Sequence, residues 1–266
     1  MFSIDVNSFI NNFITKRSES LFSCDLKDNL NTLEKSIRNK SVLVIGGAGT
    51  IGKSFIKQLL HFKPSKLVVV DTNENELTEL TRDLRSEYNQ YVPKIYLTYP
   101  MDFGDKLFKK ILNSHGPFNI IANFAAFKHV RTEKDVFSIE SMVNNNIFKA
   151  SSLMNLLLDN KPEHFFCVST DKASSPINVM GASKKLMEEL IMSYSSEIKV
   201  TTARFANVAF SNGSLLAGYL KRFSSKQPIS CPSNIKRFFV SPEESGQICL
   251  LACILGESGD IFFPNL

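Results

Sequence analysis

The run Ser169-Thr170-Asp171-Lys172 sets two hydroxyls, a carboxylate and an ammonium side by side, directly after the apolar stretch Phe165-Phe166-Cys167-Val168. Side chains of these types hold hydroxyl groups and move protons. The apolar stretch reads as a buried parallel strand, and ligands of open α/β sheets bind outside the carboxyl ends of such strands. The four polar groups therefore face a reaction crevice. Pro176 and Gly181 bracket the following loop, and an amphipathic helix from Ala182 carries Lys184. The plain alternative is a polar loop ahead of a surface helix. A second motif far upstream argues against it.

That motif is Gly46-Gly47-Ala48-Gly49-Thr50-Ile51-Gly52, lying between an apolar strand at 41–45 and a helix pattern through Phe55, Ile56, Leu59 and Leu60. Strand, glycine-rich turn and helix in that order make a pyrophosphate cradle. Cβ atoms would keep the anion off the backbone, and the helix start offers N–H groups and a positive dipole end. Gly46, Gly49, Thr50, Ile51 and Gly52 are the candidate contacts. A second strand ends in Asp71, 19 positions after Gly52. An acid there accepts hydrogen bonds from the adenosine ribose and repels a 2′-phosphate. Thr72-Asn73-Glu74 brings no arginine, so NAD is expected in preference to NADP. Asp102, after a third strand, sits where an adenine is met. Ala125 and Ala126, ending a fourth, let a dinucleotide lie flat across the strand ends. Lys128, His129, Arg131, Glu133, Lys134 and Asp135 follow in a charged loop; a lone histidine in such a loop is more often structural than catalytic.

The remaining elements supply the frame. Strands near 94–98, 119–124, 165–168, 199–204 and 260–263 alternate with helices near 74–88, 136–159, 181–196, 215–223 and 243–255. The expected fold class is α/β, a doubly wound, Rossmann-like parallel sheet of about seven strands. Residues 1–40 read as an N-terminal helical extension with a polar joint near 16–20, and 41–212 as the NAD-binding domain. Residues 213–266 read as a partial substrate lobe with the last helix and strand of the sheet. Asn144, Asn145 and Asn146 read as solvent-facing, unless one meets the cofactor loop. Hydrophobic content of 43% with 21% charged residues describes a soluble globular chain. A net charge of +5 without a basic block argues for an anionic small molecule and against nucleic acid. No targeting segment is evident, and the apolar run 248–255 is too short to span a bilayer. Cys249 and Cys253, one helical turn apart, read as buried thiols. A cytoplasmic protein without a metal site is expected.

Taken together, several segments resemble the extended short-chain dehydrogenase/reductases, and within them the nucleotide-sugar 4,6-dehydratases of bacterial polysaccharide biosynthesis. The segments are Gly46–Gly52, Ala125–Val130, Ser169–Ala173 with Pro176, Asn178–Lys184, Arg204–Ser214 and Arg237-Phe238-Phe239-Val240. Residues 128–135 and the closing Phe262-Phe263-Pro264-Asn265-Leu266 look most like the UDP-N-acetylglucosamine 4,6-dehydratases of legionaminic-acid pathways. The resemblance implies oxidation of the sugar at C4 by NAD, loss of water across C5 and C6, and hydride return to C6. It implies Asp171 as the acid at the C6 hydroxyl, Lys172 as the C5 base and Thr170 as a partner of the C4 hydroxyl region. Those roles need a raised carboxyl pKa and a lowered ammonium pKa. Lys184 is implied to hold the nicotinamide ribose. Lys128, also near the cofactor, would join His129, Glu133, Asn207, Ser214 and Arg237 at the UDP-sugar.

Most of that superfamily has Tyr-x-x-x-Lys where this chain has Met180 to Lys184, and the dehydratase branch carries methionine too. A thioether cannot relay a proton. The superfamily also pairs two helices with their copies across a two-fold axis. The matching stripes here are Val143, Ile147, Met154 and Leu158, and Leu186, Met187, Leu190, Ile191 and Tyr194. A homo-oligomer is therefore expected, the alternative being stripes that simply pack on the sheet. Family members continue past the Phe-Phe-Pro-x-Leu ending. Two other functions stay open: a UDP-sugar 4-epimerase, which needs a tyrosine-like base, and a truncated cofactor-binding protein without turnover.

Overall fold

Continuous apolar runs become the buried strands of one parallel sheet, as burial on both faces requires. The strands are β1 (Ser41–Ile45), β2 (Lys66–Asp71), β3 (Ile95–Pro100), β4 (Ile120–Asn123), β5 (His164–Val168) and β6 (Val200–Ala203), then β7 (Asn207–Val208), β8 (Phe239–Val240) and β9 (Ile261–Phe262). Seven of them pair in the order β3-β2-β1-β4-β5-β6-β9, all parallel, and β7 pairs with β8 in a separate ladder. The expected doubly wound sheet of seven strands is present. The computed structural model describes residues 5–231, 233–234 and 236–265; Leu266 of the closing motif lies outside them.

The helices are α1 (Val6–Phe9), α2 (Ser23–Asp28), α3 (Leu30–Ile37), α4 (Thr50–Leu60), α5 (Glu74–Ser86) and α6 (Lys106–His115), followed by α7 (Val136–Val143), α8 (Lys149–Leu157), α9 (Val179–Met192), α10 (Leu215–Ser224) and α11 (Pro242–Leu255). Strand side chains alternate between two cores. Val42 and Val44 pack with Leu33 of α3, Phe55 of α4, Leu80 of α5 and Cys249 of α11. Leu43 and Ile45 pack with Phe108 of α6, Leu153 of α8 and Met187 of α9. Short polar side chains start the helices where backbone N–H groups lack partners. Asn73 accepts from Glu76 N, Asn178 from Gly181 N and Ser214 from Ala217 N. Ser241 and Glu244 form a reciprocal capping box with Pro242 in the first turn. Residues 244–254 of α11 are all buried, so Cys249 and Cys253 are core thiols. Burial pushes the Cys253 pKa to about 12.

Two expectations change. The helix at 136–159 is interrupted by a π-helical turn, Asn144–Phe148, that buries Asn145 and Asn146. The wider turn rotates these asparagines inward, toward polar partners that solvent would otherwise supply. The apolar stripes also part company. Met154, Met187 and Ile191 belong to the core under the sheet. The exposed apolar side chains on these helices are instead Val136, Phe137, Phe148 and Leu186, at 52–74% exposure.

Candidate active site

The strand order reverses direction between β1 and β4, and an open cleft of about 990 Å³ runs along the carboxyl ends of the strands there. Such a switch point is where doubly wound sheets bind ligands. On one side Gly46, Gly49, Thr50, Ile51 and Gly52 line the cleft, with Asp71, Asp102, Ala125 and Ala126. Gly46 has φ +70°, and a Cβ there would lie 2.5 Å from Ala125 N. Only glycine lets the turn after β1 touch the end of β4 so closely. Asp71 accepts from Ala48 N at 3.0 Å and Asn73 N at 2.9 Å, which fixes its carboxylate beside the glycine-rich turn. Asp102 pairs with Lys149.

The opposite side holds Lys128, His129, Thr170, Lys172, Met180, Lys184, Asn207, Ser214 and Arg237. Four cations thus line this half of the cleft and two acids the other, a charge pattern suited to an elongated anionic ligand. The Lys128 side chain reaches solvent, yet burial among its neighbours holds its ammonium below the usual lysine pKa. Lys184 is buried and donates to Val168 O at 2.7 Å, at the very end of β5. Burial lowers its pKa, while nearby Cys167 and Glu188 partly oppose the shift. Ser169 Oγ is buried without a hydrogen-bond partner at the cleft wall, an unmet group that a bound ligand would satisfy.

Asp171 sits at the rim, outside the lining. Its Oδ1 accepts from Thr170 Oγ1 at 2.8 Å and from Lys172 Nζ at 2.9 Å. Gly181 makes this arrangement possible, since a Cβ there would lie 2.7 Å from Lys172 O. Hydroxyl, carboxylate and ammonium are thereby joined in one hydrogen-bonded triad at the end of β5. Glu133 also lies outside the lining. It accepts from Met180 N at 2.7 Å and so anchors the start of α9. The His129 ring lies against the Cα of Gly213, where a Cβ would sit 2.7 Å from it.

Asn146 takes the alternative left open for the asparagine triplet and meets the loop after β4, whereas Glu188 and Asn212 were not singled out by sequence. Asn146 accepts from Phe127 N at 2.9 Å and donates to Phe127 O and to Ser183 Oγ, both at 3.0 Å. It ties the charged loop to α9. The signal was an asparagine triplet inside an apolar helix. Glu188, fully buried on α9, receives two hydrogen bonds from Arg204. Asn212 N donates to Thr50 Oγ1 at 3.0 Å, joining the two sides of the cleft. Among the described residues, no cluster of ligating side chains could hold a metal, and no helix is long and apolar enough to cross a membrane.

A family model described as polysaccharide biosynthesis protein matches residues 42–266. The chain is 34% identical over 236 residues to the uncharacterized membrane protein MJ1061 of Methanocaldococcus jannaschii, covering 86% of this chain and 67% of that protein. It is 25% identical to a UDP-N-acetylglucosamine 4,6-dehydratase (inverting) of Campylobacter jejuni, over 85% of this chain and 67% of that one. It is 28% identical to the UDP-glucose 4-epimerase of Rickettsia rickettsii, over 84% and 65%. The X-ray structure of Pen from Bacillus thuringiensis matches with a TM-score of 0.75 at 25% identity, over 85% of this chain and 68% of that one. The chain spans only 43% and 39% of two longer relatives.

Proposed function

We propose, from the premise that this chain belongs to the polysaccharide biosynthesis protein family of extended short-chain dehydrogenase/reductases acting on nucleotide sugars, that it carries out NAD-dependent 4,6-dehydration of a UDP-N-acetylhexosamine. UDP-N-acetylglucosamine is the substrate proposed, for surface-glycan or nonulosonic-acid synthesis of the legionaminic kind. The observation that carries this reading is the Thr170–Asp171–Lys172 triad beside Met180. The glycine-rich turn and the start of α4 would hold the pyrophosphate of NAD, Asp71 the adenosine ribose, and Lys184 the nicotinamide ribose. NAD, when bound, supplies hydride acceptance at C4 and hydride return at C6.

The side chains then have to move the protons. As the hydride leaves C4, the hydroxyl proton there passes through Thr170 to solvent. Lys172 takes the proton from C5 and returns it when the hydride reaches C6. Asp171, afterwards reprotonated from solvent, gives one to the departing C6 hydroxyl. In the resting pair the ammonium and carboxylate are 2.9 Å apart. Shifting that single proton from Lys172 to Asp171 yields an amine and a carboxylic acid, the two forms the elimination needs. Thr170 hydrogen-bonds near the C4 hydroxyl, and Lys128 and Arg237 meet the diphosphate.

A 4-epimerase reading draws on the Rickettsia relative, but epimerisation removes no hydroxyl from C6 and leaves the Asp171–Lys172 pair without a role. Binding without turnover draws on α10, which buries none of its residues on the side where the sugar would sit. Incubation with UDP-N-acetylglucosamine and NAD discriminates the three. A product lighter by one water supports dehydration, an isomer of unchanged mass supports epimerisation, and unchanged substrate overturns turnover. We further propose self-association through Phe137, Phe148 and Leu186, whose exposure a dimer would relieve. Sedimentation at micromolar concentration should give a dimer or larger species, and a monomer refutes it.

A further inference from the structure

We infer that Arg17 and Phe9, on the N-terminal arm, are positioning residues that hold the cleft wall of residues 207–214 and 237–240 from behind. The inference rests on the reading above, in which that wall meets the UDP-sugar.

Each short strand of the wall sends one side chain, Val208 or Val240, into the core. β7 and β8 are two residues each, paired Asn207 with Phe239 and Val208 with Val240. An isolated two-stranded ladder is marginal even when longer. Its inner side carries Asn207, Arg237 and Phe239 into the cleft. Its outer side meets the arm. Arg17 Nη2 donates to Phe239 O at 3.1 Å, on a residue that itself lines the cleft.

Arg17 is itself locked. Its Nε and Nη2 donate to the two oxygens of Glu244 at 3.0 and 2.8 Å. Glu244 is buried and also accepts from Leu21 N and Ser241 N. It lies in the first turn of α11, where a carboxylate is favoured by the helix dipole. A bidentate guanidinium with one donor left for a carbonyl is a geometry that lysine cannot copy. Lys16, at φ +56°, turns the chain just before this clamp.

Phe9 holds the other half of the wall. Phe210 has φ +53°, a conformation costly for a bulky side chain that persists only where its surroundings enforce it. The Phe9 ring lies edge-on to it at 6.0 Å, backed by Phe13 at 5.1 Å. The residues that follow Phe210, from Ser211 to Ser214, line the cleft. Phe9 and Arg17 thus touch one segment of the wall each.

The test compares the full chain with Arg17→Met, Arg17→Lys and Phe9→Ala. Amide hydrogen exchange reads the wall without any ligand. The expected result for Arg17→Met is exchange about tenfold faster at 237–240 and 207–208, with β1, β4 and β5 unchanged. Arg17→Lys should recover only part, and Phe9→Ala should speed 209–214. Titration with UDP as probe should give a dissociation constant raised about tenfold or more by Arg17→Met, with NAD affinity within about twofold of wild type. Faster exchange spread over the whole sheet, or equal losses of UDP and NAD affinity, would mean the arm merely stabilises the fold, and would overturn the inference. So would unchanged exchange in the wall. Localised exchange in variants of a chain whose wild type ignores UDP would leave the arm's role standing and refute the substrate reading instead. Should Arg17→Met not fold, Arg17→Lys and Phe9→Ala carry the same measurements.

Discussion

The glycine-rich side of the cleft is built from the ends of β1, β2 and β4, whose side chains are almost wholly buried between two cores. The facing side hangs on two-residue strands and on α10, none of whose ten residues is buried. The first side is positioned by the sheet as a whole. The second enters the core with only one side chain of each short strand, Val208 and Val240. It is otherwise positioned by single hydrogen bonds, among them Asn207 Nδ2 to Phe238 O at 3.3 Å and Ala209 N to Val240 O at 2.9 Å. Where many contacts share the load, a substitution perturbs fold and ligand together. Where one bond carries it, a substitution can alter a ligand and leave the fold intact.

The sharpest probe lies at the seam between the two sides. Asp171→Asn should lower turnover by about 10²–10⁴-fold, the range for losing a positioned acid, while NAD still binds. Reduced cofactor should then accumulate and be visible by absorbance, and Lys172→Met should block the same elimination. Near-normal turnover of Asp171→Asn would move the role to His129 or Glu133.

Glycine substitutions test the contrast in rigidity directly. Gly46→Ala puts a Cβ 2.5 Å from Ala125 N at a positive φ. Strain and overpacking should together destabilise by about 2–4 kcal/mol in urea unfolding and weaken NAD binding. Gly218→Ala in α10 meets only the flexible end of Arg222, at 2.9 Å. It should be neutral or stabilise by up to about 1 kcal/mol through helix propensity. Equal effects from the two would erase the distinction between the walls.

Acid should act on the sheet away from the cleft, at the start of β5. Burial, aided by Lys199 and only partly opposed by Glu163, lowers the His164 pKa from 6.5 to about 4. Between those values the unfolded chain binds a proton that the folded chain refuses. Stability contributed by neutral His164 is therefore complete above pH 6.5 and lost as pH falls toward 4. The loss should be about 2 kcal/mol, allowing for partial solvent screening. His164→Gln should flatten urea unfolding across that window, and an unchanged slope would assign the acid sensitivity elsewhere.

The smallest effect expected is at Asp71. Asp71→Ser removes the charge that would face a 2′-phosphate, and should narrow the preference for NAD over NADP by about tenfold. An unchanged preference would show that Asp71 does not read the ribose.

What the sequence disclosed follows the same division. The seven sheet strands are legible because burial on both faces demands uninterrupted apolar runs, whereas the helix expected from Ala182 begins at Val179, where Asn178 caps it. The glycine-rich turn is legible because backbone contact excludes side chains. The other wall was opaque. Strands as short as β7 and β8 leave no periodicity. Asn146 reads as a surface residue until the π turn brings it inward. Glu133 carries the same charge whether it meets a ligand or, as here, the N–H of Met180. Arg17 and Glu244 lie 227 positions apart, and nothing local to either announces the other.

The bond from Asn212 N to Thr50 Oγ1 is a thread sewn from wall to wall, and thermodynamic linkage gives it a consequence. Thr50 opens α4, beside the cradle proposed for a pyrophosphate; Asn212 belongs to the loop proposed to face the UDP-sugar. Any free energy by which one occupant strengthens or strains this thread must be returned, with the same sign and size, when the other arrives. The two affinities are then a single property of the chain, and a thermodynamic cycle of the two titrations, with and without the Thr50 hydroxyl, measures it.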